Sequence, residues 1–205
     1  MKKKTILSMS DHPLSPSGVG TQTKYVMEAL LRTGKYRIIS LGGAIKHHSY
    51  DPINIEPFGE DWTVQPIDGY GSPEILRSIL RTERPDMIWF MTDPRFYGWL
   101  WEMEDEVRAL CPMLYYHVWD NYPYPEFNSQ WYNSTDVIAN ISKVTHDIVT
   151  TVAPEVDAHY IPHAVDSKCF SPQPTELVAA FAKDILADGD DWQSKTTFFW
   201  NNRNA

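Results

Sequence analysis

Residues 5–33 read TILSMS, then DHPLSPSGVG, then TQTKYVMEALLRT, and this stretch decides the fold. Residues 5–10 form a short apolar run of the kind a buried strand requires, and 11–20 are a loop of Pro, Ser and Gly. Residues 21–33 place Tyr25, Val26, Ala29 and Leu30 on one face of a helix. A strand running through a glycine-bearing loop into a helix is the opening unit of a parallel sheet covered by helices. Gly18 and Gly20 stand one residue apart where that helix begins. Lacking side chains, they let a ligand approach the backbone, where the first amides of a helix are unpaired and carry partial positive charge. A plain tight turn explains the same two glycines. The pattern is not G-x-G-x-x-G, because Thr23 stands at the third position.

Outward from this unit, the alternation of apolar runs with helix-period segments continues. It predicts strands over 36–41, 63–67, 87–91, 113–118, 137–141 and 158–161, and helices over 73–82, 96–109, 128–134 and 143–152. Seven strands with helices between them make a doubly wound, mostly parallel, Rossmann-like α/β domain over residues 1–172. A lone helix over 175–187 lies in a linker, 173–194. The β-branched and aromatic run Thr196-Thr197-Phe198-Phe199-Trp200 then opens a further strand five residues before Ala205. A strand needs neighbours, so the expectation is a second domain of which residues 195–205 are the truncated start.

The 205 residues suffice for one core. A net charge of -9, with no basic run longer than Lys2-Lys3-Lys4, argues against a nucleic-acid partner. The 13% aromatic content, eight Trp included, exceeds the need of a core this size, so some rings are expected along a surface groove. No window reaches the roughly 18 apolar residues of a membrane span. The start of the chain imitates a signal peptide but reaches Asp11-His12-Pro13 with no small-residue cleavage site. Cys111 and Cys169 are isolated, which indicates neither a disulfide framework nor a zinc site. A cytoplasmic location is the default, the sequons at Asn133 and Asn140 are then incidental, and peripheral membrane contact stays open.

Further motifs fall in a recognisable order: the Ser17-Gly18-Val19-Gly20 loop; Arg84-Pro85-Asp86-Met87-Ile88 where a helix meets a strand; Tyr116-His117-Val118-Trp119-Asp120 ending a central strand; 136–142, DVIANIS; and Ile161-Pro162-His163-Ala164-Val165-Asp166 followed by Phe170. Over about 170 residues this order resembles the N-terminal domain of the family four retaining glycosyltransferases, which have the GT-B fold. Where that family has Asn-Gly, His163-Ala164 stand here, with Val165, Asp166 and Phe170 in register. Asn202-Arg203-Asn204 looks like the Gly-Arg opening of the family's second domain, with Asn202 in place of glycine.

The resemblance implies transfer of a hexose from a GDP- or UDP-linked sugar to a glycan, lipid or small-molecule acceptor. It implies retention of configuration and no cofactor or metal. The 205-residue chain alone is expected to show no turnover, with its donor-binding half absent. Gly18 and Gly20, with Ser17 and Thr21, would meet the donor's distal phosphate, and Arg203 would meet it from the second domain. His117, at the carboxyl end of a strand, would contact the donor sugar or orient the reacting groups; a core histidine is the alternative. Asp120 would hold an acceptor hydroxyl or merely cap its loop. Asp93 and Arg95 would meet the acceptor. So would Trp119 and Tyr122, from an aromatic loop shared with Tyr124, Phe127 and Trp131 that could equally be packing. Ser142 is an acceptor contact or a helix cap. No general base is named, because the family's front-face displacement passes the acceptor's proton to the departing phosphate oxygen.

Two patterns carry no role: Asp188-Gly189-Asp190 matches a metal motif of a different glycosyltransferase fold but lies in a linker, and His47-His48 reads as a solvated loop. Competing with the transferase are a stand-alone sugar- or phosphate-binding or partner-docking module and, more weakly, an NAD-dependent oxidoreductase. Against the latter stand the absent third glycine and the lack of an acidic residue ending the second strand at Leu41-Gly42-Gly43.

Overall fold

Strand β1, Lys4–Asp11, occupies the middle of the sheet and organises everything around it. The computed structural model describes residues 2–119, 121–185 and 194. The remaining strands are β2 Tyr36–Gly43, β3 Ile53–Ile55, β4 Gly59–Pro66, β5 Met87–Phe90, β6 Met113–His117, β7 Val137–Asn140 and β8 Asp157–Tyr160. Their order is β3-β4-β2-β1-β5-β6-β7-β8, and every pair is parallel except β3 with β4. The chain winds out one way through β2 and β4, returns to the other side of β1 as β5, and winds out again. The winding therefore reverses between β1 and β5, the place where an open α/β sheet leaves a crevice at the strands' carboxyl ends.

The sheet is the expected doubly wound α/β fold with one strand more than the sequence predicts. Three-residue β3 is too short for a period to register, and Pro57 ends it. Helix α1 runs over Gly18–Arg32, three residues earlier than expected, and α2 over Pro73–Glu83. The single helix expected over 96–109 is a 3-10 turn, Pro94–Tyr97, followed by two short helices, α3 Gly98–Trp101 and α4 Glu104–Arg108. Then come α5 Ser129–Asn133 and α6 Lys143–Val152. The chain divides into two compact units, Met1–Ala164 and Val165–Ala205. In the second, α7 spans Thr175–Ile185, and Asp166 closes a turn by accepting from the amides of Lys168 and Phe170. The expected strand over 196–200 and the linker motif at 188–190 lie outside the described residues.

Neighbouring residues of one strand feed opposite faces of the sheet. Leu7, Ile39, Ile88, Phe90, Tyr115 and Ile138 pack against α2 to α6, whereas Ile6, Ile38, Trp62, Trp89 and Tyr116 lie on the face that α1 covers through Met27 and Leu31. Several tryptophans are absorbed here. Trp62 is fully buried, its indole N–H donating to Ser40 Oγ at 3.0 Å, and Trp101 stacks on Trp131 and donates to Thr135 Oγ1 at 3.1 Å.

Two of the motif aspartates stitch strands together. Asp86 accepts from the Thr5 amide through its carboxylate (2.9 Å) and donates its own amide to Thr5 O (2.7 Å), joining β5 to β1. Hydrogen bonds from Lys4 and from the Thr5 amide hold its carboxyl below the usual range. Asp136 repeats the device between β7 and β6, taking the Met113 amide at 2.8 Å and Arg108 at 3.1 Å. Asn140, the second sequon, is fully buried, and its side-chain amide reaches His159 O, which closes it to glycosylation. Among the described residues no helix is long and apolar enough to cross a membrane.

Candidate functional site

At the crevice, β1 ends in Asp11, a nearly buried carboxylate bonded by two hydroxyls: Ser17 Oγ donates to Oδ2 at 2.6 Å and Tyr70 OH to Oδ1 at 2.9 Å. Because its proton goes to Asp11, Ser17 turns its lone pairs to the Gly20 amide (2.9 Å) and so caps α1, while Thr21 N bonds Ser17 O. The extended φ of Ser17, -103°, lets its oxygen fold back in this way. Ser17→Ala is expected to cost about 1 kcal/mol, the usual worth of such a cap, read as a shift in the urea midpoint at unchanged m-value. A midpoint equal to wild type would show that Asp11 and Ser17 do not set the turn.

This geometry revises the glycine loop. Both glycines lie within the first turn of the helix. The Gly20 amide is consumed by the cap, and a Cβ there would meet Ser15 Oγ at 2.5 Å and His12 O at 2.6 Å, so Gly20 serves close packing of the loop. A Cβ on exposed Gly18 would meet nothing within 4 Å. The amides that point away from the helix without a protein acceptor among the described residues are those of Gly18 and Val19. Thr21 offers no free amide, and its half-buried hydroxyl makes no bond with a described residue. One helical turn on, Gln22 clasps the chain where it leaves the sheet: its Nε2 donates to Ala164 O at 2.7 Å and its Oε1 accepts from Ala164 N at 3.3 Å.

Across the crevice the Tyr70 ring stacks on Phe96, centroids 4.6 Å apart and planes 24° off parallel. Burial, partly offset by a bond to Thr92, together with the Asp11 charge raises the Tyr70 phenol above its ordinary pKa, so it remains a donor. Next to Phe96, Arg95 grips Asp93 with two side-chain bonds, Nε to Oδ1 at 2.9 Å and Nη2 to Oδ2 at 2.6 Å. Burial would raise the Asp93 carboxyl, but the bonds from the Arg95 side chain and amide outweigh it, and it sits below the usual range. The guanidinium lies 5.3 Å over the Trp119 ring, which meets Phe127 edge-on at 6.0 Å. The Trp119 indole N–H is buried without a partner among the described residues. Asp93, Arg95 and Trp119 are thus in mutual contact. Tyr122 stands apart on the loop, 88% exposed against Tyr124.

His117 ends β6 as expected, but its ring is fully buried and both nitrogens are engaged. Nδ1 lies 3.0 Å from Asn140 Oδ1, and Nε2 lies 2.8 Å from Tyr132 OH. The Asn140 amide oxygen can only accept, which assigns the proton to Nδ1 and makes Nε2 the acceptor from Tyr132. Tyr132 in turn accepts from Asn128 Nδ2 at 3.1 Å. Burial lowers the His117 pKa to about 4, the bond to Asn140 opposing the shift only in part. His117 thus has no free nitrogen and no exposed surface, and it ties β6 to β7 and α5.

Ser142 is likewise a cap: its Oγ accepts from Thr145 N at 3.1 Å, and Thr145 Oγ1 accepts from Ser142 N at 2.9 Å, a reciprocal pair. His47 is not a solvated loop residue, since its Nε2 sits 2.9 Å from Gly42 O and 3.2 Å from Ile67 O and its ring lies 5.8 Å from His12. Burial, and secondarily His47, lowers the His12 pKa. Asp120 and Arg203 lie outside the described residues.

Sequence reading missed Asp11, Tyr70, Phe96 and Gln22. Asp11 was within reach, being the acid that ends the very strand feeding the glycine loop. The others reach the crevice from loops or by a long-range contact that no local spacing encodes. The chain matches no family model and no curated protein.

Proposed function

We propose that this chain is the acceptor-side domain of a retaining glycosyltransferase, working with a donor-binding domain to move a hexose from a nucleotide sugar. The observation that carries the reading is the open helix start at the switch point: Gly18 with unobstructed space and unpaired amides beside a crevice walled by aromatic rings and carboxylates. The order of motifs around it supports the same assignment. As the glycosyl bond breaks, negative charge builds on the departing diphosphate. Amides already fixed at Gly18 and Val19 stabilise that charge without reorganising. Asp11 and Ser17 hold the turn that aims them. The acceptor proton passes to the departing phosphate oxygen, so the crevice supplies positioning and a dry wall and no protein base. His117 acts at a distance, keeping the end of β6 in register.

The test is donor consumption by the protein carrying its donor-binding domain, offered UDP-glucose, UDP-galactose and GDP-mannose with a mixture of glycan and glycolipid acceptors. At least one donor is expected to release its nucleoside diphosphate, with the anomeric configuration kept in the product. Consumption of none would sink the transferase reading. The two glycines make a sharper pair. Gly18→Val should leave stability within about 1 kcal/mol while lowering turnover at least about tenfold, because the new side chain occupies only ligand space. Gly20→Val should instead destabilise the fold by about 1–3 kcal/mol, because it strikes the His12 carbonyl. Wild-type kinetics in Gly18→Val would remove the phosphate role of the loop.

A further inference from the structure

The crevice contains a ring platform that none of the roles above uses. Phe96 is 49% exposed although it sits on a packed turn, with Pro94 and Tyr97 buried on either side of the Arg95–Phe96 pair. One of its faces is backed by Tyr70, and Tyr70 is itself pinned through its hydroxyl to Asp11. A half-exposed aromatic ring held this rigidly is a surface that loses almost no entropy when something is laid on it.

The surroundings say what that something is. Asp11 carries its carboxylate within the same bonded group, and the Asp93–Arg95 pair belongs to the same turn as Phe96. Arg95 spends Nε and Nη2 on Asp93 and leaves Nη1 without a protein acceptor among the described residues. The pair is neutral as a unit and offers both donors and acceptors. Beyond it the Trp119 and Phe127 rings continue the wall. A ligand fitted to this arrangement is flat and apolar on one side and hydroxylated at its rim, with oxygens that accept from Arg95 Nη1. A pyranose ring has that form.

We infer that the Phe96–Tyr70 stack is a sugar platform and that the acceptor is a saccharide seated on it, with hydroxyls turned toward Asp11 and the Asp93–Arg95 pair. The name acceptor rests on the transferase reading; the platform itself does not.

The experiment is a titration of the 205-residue chain, followed by backbone amide NMR, with maltotriose, mannotriose, cellotriose and chitotriose, and with uridine and guanosine as nucleosides. At least one saccharide should bind saturably and shift the resonances of Tyr70, Phe96 and Trp119. Phe96→Ala should weaken that binding about tenfold, Phe96→Tyr should restore it, and thermal unfolding should stay near wild type in both, since the ring is half in solvent. Saturable binding of neither saccharides nor nucleosides, binding of nucleosides alone, or unchanged saccharide affinity in Phe96→Ala would each overturn the inference. Saccharide binding that depends on Phe96, in a protein that consumes no donor, would keep the platform and remove the transferase reading. Transfer that proceeds with an unchanged acceptor KM in Phe96→Ala would do the reverse.

Discussion

Phe90→Ala should remove on the order of 4 kcal/mol of stability, enough to unfold a marginal domain at moderate temperature. Phe90 is fully buried at the carboxyl end of β5, next to the switch point. Its ring stacks on Tyr115 at 4.9 Å and meets Trp101 and Tyr97 edge-on at 5.5 and 5.6 Å. Truncation leaves a cavity walled by three large rings fixed from elsewhere. Tyr115 is tied by its hydroxyl to Thr92 O at 2.8 Å, and Trp101 is tied to Thr135, so the walls cannot collapse inward and the cavity cost stays near the top of its range. Phe90→Leu fills most of the space and should cost well under half as much. Urea unfolding of the three proteins measures this; an alanine penalty no larger than the leucine penalty would mean that the aromatic cluster is not a packed unit.

The same cluster shows what local pattern can and cannot convey. Strands β1, β2 and β5 to β7 are legible because each is a short apolar run between breakers, and the reversal around β1 follows once their alternation with helices is seen. The destination of a tryptophan is not legible in this way. Trp62, Trp101 and Trp119 are the same residue to a composition argument, yet two are core and one faces Arg95, because the faces they reach depend on strand order and on loops 93–101 and 118–128. The expected helix over 96–109 fails for a related reason: its apolar spacing is helical, but the chain completes it as separate short turns that send Phe96 into the crevice and Tyr97 into the core.

In the site, the helix expected from Thr21 begins at Gly18, so both glycines fall in its first turn, and of their two amides only that of Gly18 has no acceptor among the described residues. That distinction depends on the Ser17 hydroxyl, whose proton is claimed by Asp11, a bond across six residues that a motif does not contain. His117 was placed at the right end of the right strand. Only the packing of Tyr132 and Asn140 around it turns a crevice position into a core one.

That burial has a measurable consequence in pH. The folded-state pKa of His117 lies near 4, against an ordinary 6.5 in the unfolded chain. Above about pH 6.5 neither state carries the proton, and the stability contribution of the neutral ring is fully present. As pH falls from 6.5 toward 4, the unfolded chain takes up a proton that the native ring refuses, and stability falls by up to about 1.4 kcal/mol per pH unit. Below about pH 4 both states are protonated and this loss levels off at a total on the order of 3 kcal/mol. His12 and His163, whose pKa values burial also lowers, add to the trend in the same direction, so wild type alone does not isolate His117. The difference between wild type and His117→Gln does. The variant starts less stable at pH 7.5, having lost a buried bonded pair, but it should decline less steeply, and the two curves should converge as the pH approaches 4.5. Urea midpoints taken at half-unit intervals would show the convergence. Parallel curves would mean that His117 titrates normally, and hence that Asn140 and Tyr132 do not enclose it in solution.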